Sequence, residues 1–250
     1  MPARHPPKPG KCVHCLKDPV QRTWDHVFPR AWYPETTPLD LEKWQIPACT
    51  RCNGQYGKLE NDLLITLGMC IDPDDVAAAG IAAKALRALN PRFAKTPKDA
   101  RARQRERDKF LARLKPASQP LMSARFPGLA PPPAYGAQPP MVVSIPRGGL
   151  QRLVEKICRG IFYIEDGYFI EPPYEIVHHV VHEIAVAPVV NLIEQHGEVF
   201  AREPGITVRR AVPPDNVRAA LFSIEIWGQL KLYASVLEED GHDNQRTRLE

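Results

Sequence analysis

Two pairs of cysteines near the amino terminus have the spacing of a metal site. Each pair has two residues between its cysteines, so a short turn can present both sulfurs to one ion, and two such turns complete a tetrahedral set of thiolates. The four residues are Cys12, Cys15, Cys49 and Cys52. Because protein fills all four positions, the spacing predicts a structural zinc ion. Two disulfides, or four unrelated buried cysteines, are the alternative interpretations.

Between the two pairs the sequence reads TWDHVFPR, and Asn53 directly follows the last cysteine. This order resembles the HNH nucleases of the ββα-metal superfamily. Their motif joins a C-x-x-C pair, an Asp-His-(Val/Ile)-x-Pro segment, and a second C-x-x-C pair that is followed by Asn or His and leads into a helix. The middle element is matched here by Asp25, His26, Val27 and Pro29. Asn53 matches the final position, and the resemblance covers about residues 10–68.

The resemblance implies a metal-dependent endonuclease that hydrolyses phosphodiester bonds in DNA. It assigns His26 as the general base, since an imidazole that is neutral near pH 7 can accept a proton from water. It assigns Asp25 and Asn53 as ligands of a catalytic Mg²⁺ or Mn²⁺, cations that prefer oxygen ligands. Neighbours in a regular strand point to opposite sides, so we expect Asp25 and His26 at an irregular strand end. Alternatively, Asp25 is a turn residue, His26 a satisfied polar group and Asn53 a helix cap.

Further polar residues lie close to this motif. Glu60 shares a helix face with Asn53, but two helical turns span roughly 10 Å, so we expect Glu60 behind the ligands of the ion and not on the ion itself. Arg30 and Lys58 are candidate phosphate contacts. A surface carboxylate and solvated basic side chains are the alternatives. Many HNH proteins carry an asparagine shortly before the second cysteine pair, where this sequence has Trp44, so we expect tryptophan packing to anchor the loop.

A strongly basic segment follows the cysteine-containing module. From Lys84 to Lys115 there are twelve Lys or Arg and three Asp or Glu, a local charge of +9, whereas the whole chain carries +4. Lys and Arg release counterions from phosphates, which favours sequence-independent binding to DNA. Four arginines at every second position surround a helix instead of forming a stripe, namely Arg101, Arg103, Arg105 and Arg107. That pattern favours contact with the DNA backbone; a solvated helix is the alternative.

We predict an α+β fold in five parts. These are a zinc-containing ββα nuclease domain (1–70), a basic segment of two helices (71–115), a proline-rich linker (116–146), an α+β accessory domain (147–237) and a polar tail (238–250). In the accessory domain we expect a short helix from about Gly149, a hairpin turning at Asp166-Gly167, another helix and two later strand-like runs. His178 and His182 have the spacing of a metal pair on a helix, although the interleaved valines favour a half-buried amphipathic element.

The composition limits the class of protein. Hydrophobic residues make up 44% and charged residues 25%, which is typical of a globular chain with a buried core. No apolar run is long enough to span a bilayer and the first residues lack the core of a signal peptide, so we expect a cytoplasmic protein without a membrane partner. The alternative function is a non-catalytic, zinc-dependent nucleic-acid-binding protein on an HNH scaffold. A third is self-association or protein binding through residues 147–237.

Overall fold

The computed structural model describes residues 5–117, 141–145, 147–180, 183–202 and 205–239. Across these ranges the chain forms five α-helices and three antiparallel sheets, so the predicted α+β class is confirmed. None of the helices in the same ranges is long and apolar enough to cross a membrane. Most of the predicted polar tail lies outside the described residues, which end at 239.

A β-hairpin followed at once by a helix carries the Asp-His motif. Strands β1 (Arg22–His26) and β2 (Gln45–Cys49) pair in antiparallel register from end to end. Helix α1 (Thr50–Gly68) begins directly after β2, where the Cys49 sulfur caps the helix by accepting a hydrogen bond from the backbone N–H of Cys52. The second cysteine pair therefore lies at the junction of β2 and α1.

Two further helices follow, as the basic, alanine-rich sequence predicts. They are α2 (Ile81–Leu89) and α3 (Pro97–Arg113). After α3, strand β3 (Leu114–Pro116) pairs with β4 (Met141–Val143) in a two-stranded antiparallel sheet. The two ends of the predicted proline-rich linker therefore lie side by side, while residues 118–140 between them are outside the described part of the chain.

The predicted hairpin at Asp166-Gly167 is wrong, because the segment before it is helical. Helix α4 runs over Arg147–Asp166, so it contains both the predicted short helix and the first predicted strand. Its apolar residues recur at helical spacing and are buried: Leu150, Leu153, Val154, Ile157, Ile161 and Phe162. The helical period thus continues through the segment that the sequence suggested as a strand. Gly167 follows the helix with φ of 69°, the geometry of a helix C-terminus.

A five-stranded antiparallel sheet forms the carboxy-terminal part. Its strands along the chain are β5 (Tyr174–His179), β6 (Glu198–Arg202), β7 (Ile206–Ala211), β8 (Ala220–Ile226) and β9 (Leu230–Glu238). Their spatial order is β5-β9-β8-β7-β6, and helix α5 (Glu183–His196) lies between β5 and β6 in sequence. Buried and half-buried residues alternate along β8, as in a strand with one face on a core. The predicted helix and the first later strand run are confirmed as α5 and β7. The second run, predicted as one, forms two strands, β8 and β9, joined by a turn at 227–229, and β5 and β6 were not predicted.

His178 lies in β5 and not on a helix, so the helical spacing that would pair it with His182 does not exist at His178. His182 is outside the described residues. The backbone N–H of His178 donates to Oε1 of Gln151 at 2.9 Å, and Nε2 of His179 lies 2.8 Å from Oγ of Ser235. These two hydrogen bonds connect β5 to α4 and to β9.

One hydrophobic core joins the ββα unit, α4 and the five-stranded sheet. Helix α4 contacts α1 and β2, and it also contacts β5. Buried residues from all these elements belong to the same cluster, among them Val27, Leu63, Ile157, Phe222 and Leu232. The rings of Trp32 and Trp227 lie 5.0 Å apart, and the indole N–H of Trp227 donates to the Trp32 carbonyl at 2.7 Å. The predicted boundary between the nuclease domain and the accessory domain stays a prediction. Side chains from both sides of it pack in the same core.

Candidate functional site

The four cysteines of the two C-x-x-C pairs lie together. Their Sγ atoms are all within 4.8 Å of one another, so they can hold one metal ion such as zinc. All four are free thiols, and the Sγ atoms of Cys15 and Cys49 are 3.9 Å apart, well beyond the roughly 2 Å of a disulfide bond. The clustering therefore supports a metal site over two disulfides or unrelated cysteines.

Backbone amides hold the sulfurs in place. The N–H of Cys49 donates to Sγ of Cys12 at 3.2 Å, and the N–H of Cys52 donates to Sγ of Cys49 at 3.4 Å. In the turn of the first pair, Leu16 adopts a positive φ of 62° and its N–H donates to the Cys12 carbonyl at 2.9 Å. Each N–H directs partial positive charge at its acceptor, and at the sulfurs this favours thiolate ligands.

Asp25, the first residue of the Asp-His pair, is buried and has a partner on each carboxylate oxygen. Oδ2 lies 2.9 Å from Nε2 of His14, and Oδ1 accepts a hydrogen bond of 2.9 Å from Nζ of Lys156. Lys156 comes from α4, is fully buried, and forms a second ion pair with Glu60 of α1. These four residues, called the Lys156 cluster below, meet where β1, α1 and α4 pack together.

Burial and the lysine charge determine the protonation of this cluster. Burial acts to raise the pKa of Asp25, but the hydrogen bond from His14 and the charge of Lys156 outweigh it and lower the pKa below its ordinary value. Burial raises the pKa of Glu60, which Lys156 offsets only in part. Burial also lowers the pKa of His14. Near neutral pH, Asp25 is therefore a carboxylate that accepts from the Nε2–H of a neutral His14.

Asn53 and Glu60 share a face of α1, as expected, but Asn53 bonds to residues of β1 whereas Glu60 bonds to Lys156 of α4. The side-chain amide of Asn53 donates to Oγ1 of Thr23 at 2.9 Å and to the carbonyl of Trp24 at 3.1 Å. Glu60, two turns later, belongs to the buried cluster around Asp25. The fold thus brings Asp25 together with Glu60, whereas Asn53 ties the start of α1 to the residues before Asp25.

His26 has different surroundings from its neighbour Asp25. Strand β1 pairs regularly with β2 up to His26, so the two side chains face opposite sides and the expected irregular strand end is not found. His26 is half-buried, and its Nε2 lies 3.0 Å from the side-chain amide nitrogen of Gln45. Burial, followed by the positive charge of Arg30, lowers the pKa of His26 to about 4. The imidazole is therefore neutral at pH 7.

Sequence reasoning missed two members of the Lys156 cluster. His14 lies inside the first C-x-x-C pair, where its ring packs on Tyr56 with 4.4 Å between centroids. Lys156 stands among the apolar residues of α4, with Gly160 one turn later. A Cβ on Gly160 would lie 2.7 Å from both Cγ atoms of Val27, so α4 approaches the end of β1 very closely. The sequence signal for this contact is that Lys156 and Gly160, one turn apart, fall on the apolar face of an amphipathic helix.

Aromatic packing anchors the loop between β1 and β2, in the place where many HNH proteins have an asparagine. The ring of Trp44 lies 6.2 Å from the rings of both Phe28 and Phe200. The guanidinium of Arg202 covers the same ring at 3.3 Å, a cation–π contact. The Trp44 carbonyl also accepts a hydrogen bond from the backbone N–H of Val27 at 3.0 Å. These contacts fix the segment that directly follows His26.

Most of the basic residues predicted to contact phosphate are exposed. The exposed ones are Arg30, Lys58, Arg101, Arg105 and Arg107. Arg103 differs, because its guanidinium is bonded within the protein to Asp99 at 3.1 Å and to the carbonyl of Arg87. Three of the four α3 arginines that were predicted to contact phosphate are therefore exposed to solvent.

No protein-family model, no curated protein and no solved structure significantly matches this chain. The resemblance to HNH nucleases therefore depends on the motif residues themselves. Independently of that resemblance, the described residues bring four cysteine sulfurs within binding distance of one metal ion.

Proposed function

We propose that this chain is an HNH-type endonuclease that hydrolyses phosphodiester bonds in DNA. The observation that carries the proposal is the neutral, half-buried imidazole of His26 at the end of β1, in a ββα unit joined by a four-cysteine cluster. The imidazole is unprotonated at pH 7 and can accept a proton from water, and the negative charge of a phosphate bound beside it raises its pKa and strengthens it as a base.

We propose zinc as the ion of the four-cysteine cluster. Four thiolates are a preferred tetrahedral ligand set of structural Zn²⁺. A unit of this size buries little apolar surface by itself, so the ion would contribute a large part of its stability. It would also connect the turn that contains His14 to the start of α1, which carries Asn53.

His26 performs the proton transfer in the proposed reaction. Its Nε2 accepts a hydrogen bond of 3.0 Å from the side-chain amide nitrogen of Gln45, so Nε2 is the unprotonated nitrogen, and a water that displaces this amide gives its proton to Nε2. The water oxygen bonds to phosphorus as the bond from phosphorus to the 3′ oxygen breaks, and the departing oxygen takes a proton from solvent. Arg30 and Lys43, whose positive charges act on His26, attract the phosphate to this place.

The catalytic Mg²⁺ or Mn²⁺ that the resemblance implies does not fit the surroundings of Asp25. Both carboxylate oxygens have protein partners, one of which is the ammonium of Lys156 at 2.9 Å. Mg²⁺ requires free oxygen ligands at about 2.1 Å, and a second cation beside the ammonium would be repelled. Asn53 offers one amide oxygen, too few to hold such an ion alone. The proposed reaction therefore uses no divalent ion at Asp25.

Exposed basic side chains supply the proposed contacts to DNA. Arg101, Arg105 and Arg107 are exposed on α3; Arg101 and Arg105, four residues apart, share one face of the helix, and Arg107 points to the other side. Such contacts recognise phosphates and not bases, and they weaken as salt is added. Arg30 and Lys58 are exposed as well and would add phosphate contacts from the ββα unit.

The test is cleavage of supercoiled plasmid by the zinc-loaded full chain, with about one zinc per chain expected by elemental analysis. Wild type should yield nicked or linear product, and His26→Ala should lose about a hundredfold or more in rate, the usual contribution of a general base. His196→Ala changes an exposed histidine at the end of α5 and should cleave like wild type. Equal cleavage by His26→Ala and wild type would exclude His26 as the base.

A second candidate function is favoured by the Lys156 cluster. An internal ion pair at Asp25 suits a non-catalytic, zinc-dependent nucleic-acid-binding protein that uses an HNH scaffold. Such a protein would shift plasmid in a gel-mobility assay and leave it supercoiled with Mg²⁺, Mn²⁺ or a chelator. The plasmid experiment therefore separates the two candidates directly.

A further inference from the structure

We infer that Lys156 is the resident cation of the Asp25–Glu60 carboxylate pair and excludes a divalent metal ion from it. The HNH resemblance would put a catalytic ion on Asp25. Instead, an ammonium group from α4 bridges Asp25 of β1 and Glu60 of α1. A helix outside the ββα unit therefore supplies the positive charge at the centre of that unit.

Burial makes a cation between these carboxylates necessary. The side chains of Lys156, Asp25 and Glu60 are 0%, 6% and 15% exposed, so water screens their charges weakly. Two unpaired carboxylates in such a place would be strongly unfavourable, and an ammonium held by both offsets the unfavourable energy. A divalent ion would have the same effect. The lysine and the ion are therefore alternative occupants of one position.

Protein side chains surround the ammonium on its remaining sides. Nζ of Lys156 lies 5.3 Å from the centroid of the Tyr56 ring, and the His14 ring packs on the same tyrosine. His14 also occupies the second oxygen of Asp25. Mg²⁺ and Mn²⁺ usually keep several bound waters, and while Lys156 and His14 occupy the two oxygens of Asp25 there is no space for such an ion.

The packing of α4 holds Lys156 in this position. Leu153 and Ile157, on either side of it along the helix, are fully buried in the shared core. Gly160, one turn later, allows the helix to approach Val27 more closely than any other residue type would. Withdrawal of the ammonium together with α4 would expose this apolar surface to water. The lysine is thus held as firmly as the core residues beside it.

The inference rests on the proposed function in one respect, namely that the HNH resemblance identifies Asp25 as the place of the ion. Metal binding is therefore measured separately from cleavage. Lack of plasmid cleavage would count against the nuclease and leave the metal result intact. An Asp25-dependent metal site in wild type would count against Lys156 as the resident cation whether or not DNA is cut.

The experiment is a titration of the zinc-loaded full chain with Mn²⁺, in which electron paramagnetic resonance reports the free ion. Wild type and Asp25→Asn should give the same isotherm. Lys156→Met removes the charge and retains an unbranched side chain, so it should gain one Mn²⁺ site about tenfold tighter than any wild-type site, because two buried carboxylates then need a cation. Adding Asp25→Asn to Lys156→Met should remove that site. Lys231→Met, the same change at an exposed lysine of β9, is the matched control and should gain none.

Two results would overturn the inference. One is an Mn²⁺ site in wild type that Asp25→Asn abolishes. The other is a Lys156→Met chain that keeps a cooperative thermal transition and binds no more Mn²⁺ than wild type. If Lys156→Met does not fold, the comparison of wild type with Glu60→Gln decides the question. Equal isotherms support the resident lysine, and a site lost in Glu60→Gln contradicts it.

Discussion

Asp25 and His26 are neighbours in β1 whose surroundings keep one side chain charged and the other neutral. Burial alone would raise the pKa of Asp25, but His14 and Lys156 reverse the shift and hold it as a carboxylate. For His26, burial and the charge of Arg30 act in the same direction, and both disfavour the imidazolium. Both groups are unprotonated at pH 7, but both oxygens of Asp25 are already held by His14 and Lys156, so His26 is the residue of the pair that the proposed proton transfer uses.

We predict that His26 makes the protein less stable in mild acid. Its pKa is 6.5 when unfolded and about 4 when folded, so between these values the unfolded chain binds more protons and stability falls as pH falls. The full difference corresponds to about 3 kcal/mol, which partial exposure reduces to about 1–2 kcal/mol. His26→Gln should lose that much less free energy of unfolding than wild type between pH 7 and pH 4.5, measured by urea denaturation.

His196→Gln is the control for this measurement, because it removes an exposed imidazole at the end of α5. It should follow the wild-type dependence on pH. His14, whose pKa is also lowered by burial, contributes to the slope in all three proteins and cancels in the comparison. Identical slopes for His26→Gln and wild type would mean that the imidazole of His26 is protonated as readily in the folded chain as in the unfolded one.

At the scale of elements, helix α4 supplies the cation that is buried between the two carboxylates of the ββα unit. It delivers Lys156 to Asp25 and Glu60, and its close approach to the end of β1 depends on Gly160. The ββα elements alone would leave the two carboxylates facing each other without a cation. The chemistry at Asp25 is therefore decided by an element far along the chain.

We predict that Gly160→Ala destabilises the protein although alanine favours helices. The added Cβ would lie 2.7 Å from both Cγ atoms of Val27, so α4 or Val27 must shift, with an expected loss of about 1–3 kcal/mol in the free energy of unfolding. Gly57→Ala in α1 is the matched control, since its Cβ would have nothing within 4 Å. That variant should gain about 0.5–1 kcal/mol. A Gly160→Ala protein as stable as Gly57→Ala would contradict the close contact; urea denaturation measures both.

The elements themselves were predictable to different degrees. Helices α2 and α3 and strands β7 to β9 follow the local patterns of the sequence, because their periods and residue preferences agree with their environments. The second half of α4 did not, since Asp166-Gly167 suits both a hairpin turn and a helix end. Local turn chemistry cannot separate those two outcomes, whereas burial of Ile161 and Phe162 on a helical face does.

At the scale of the whole molecule, the ββα unit and the five-stranded sheet share one core. Trp32 from the first and Trp227 from the second are fully buried against each other. Gln229 adds a hydrogen bond of 2.7 Å from the backbone N–H of Asp72 to its side-chain oxygen. Loss of order in either part would therefore expose apolar surface of the other.

We predict that Cys49→Ser destabilises the whole described fold and not the ββα unit alone. Loss of one thiolate should abolish zinc binding and lower the free energy of unfolding by about 3 kcal/mol or more. The shared core should make unfolding a single transition, seen together by circular dichroism and by fluorescence of the Trp32–Trp227 contact. Independent domains, as the predicted boundaries imply, would instead leave a separate transition for the sheet at its wild-type position.

The sequence by itself determined the four-cysteine cluster, the order of β1, β2 and α1, and the α+β class. The cluster depends on short-range spacing, because two residues between cysteines produce a knuckle, whereas the order of β1, β2 and α1 was what the HNH resemblance implied. The fold brings both knuckles together because the hairpin pairs the start of β1 with the end of β2.

Only the tertiary structure decided which groups surround Asp25 and His26. Lys156 lies 131 residues from Asp25 in sequence. The residue that binds Lys156 together with Asp25 is Glu60 and not Asn53. Pairing of buried charges depends on distance and on exclusion of water, and both arise when α4 packs on the ββα unit. Burial and the charge of Arg30 lower the pKa of His26 to about 4, and both act through space and leave no periodic signal along the chain.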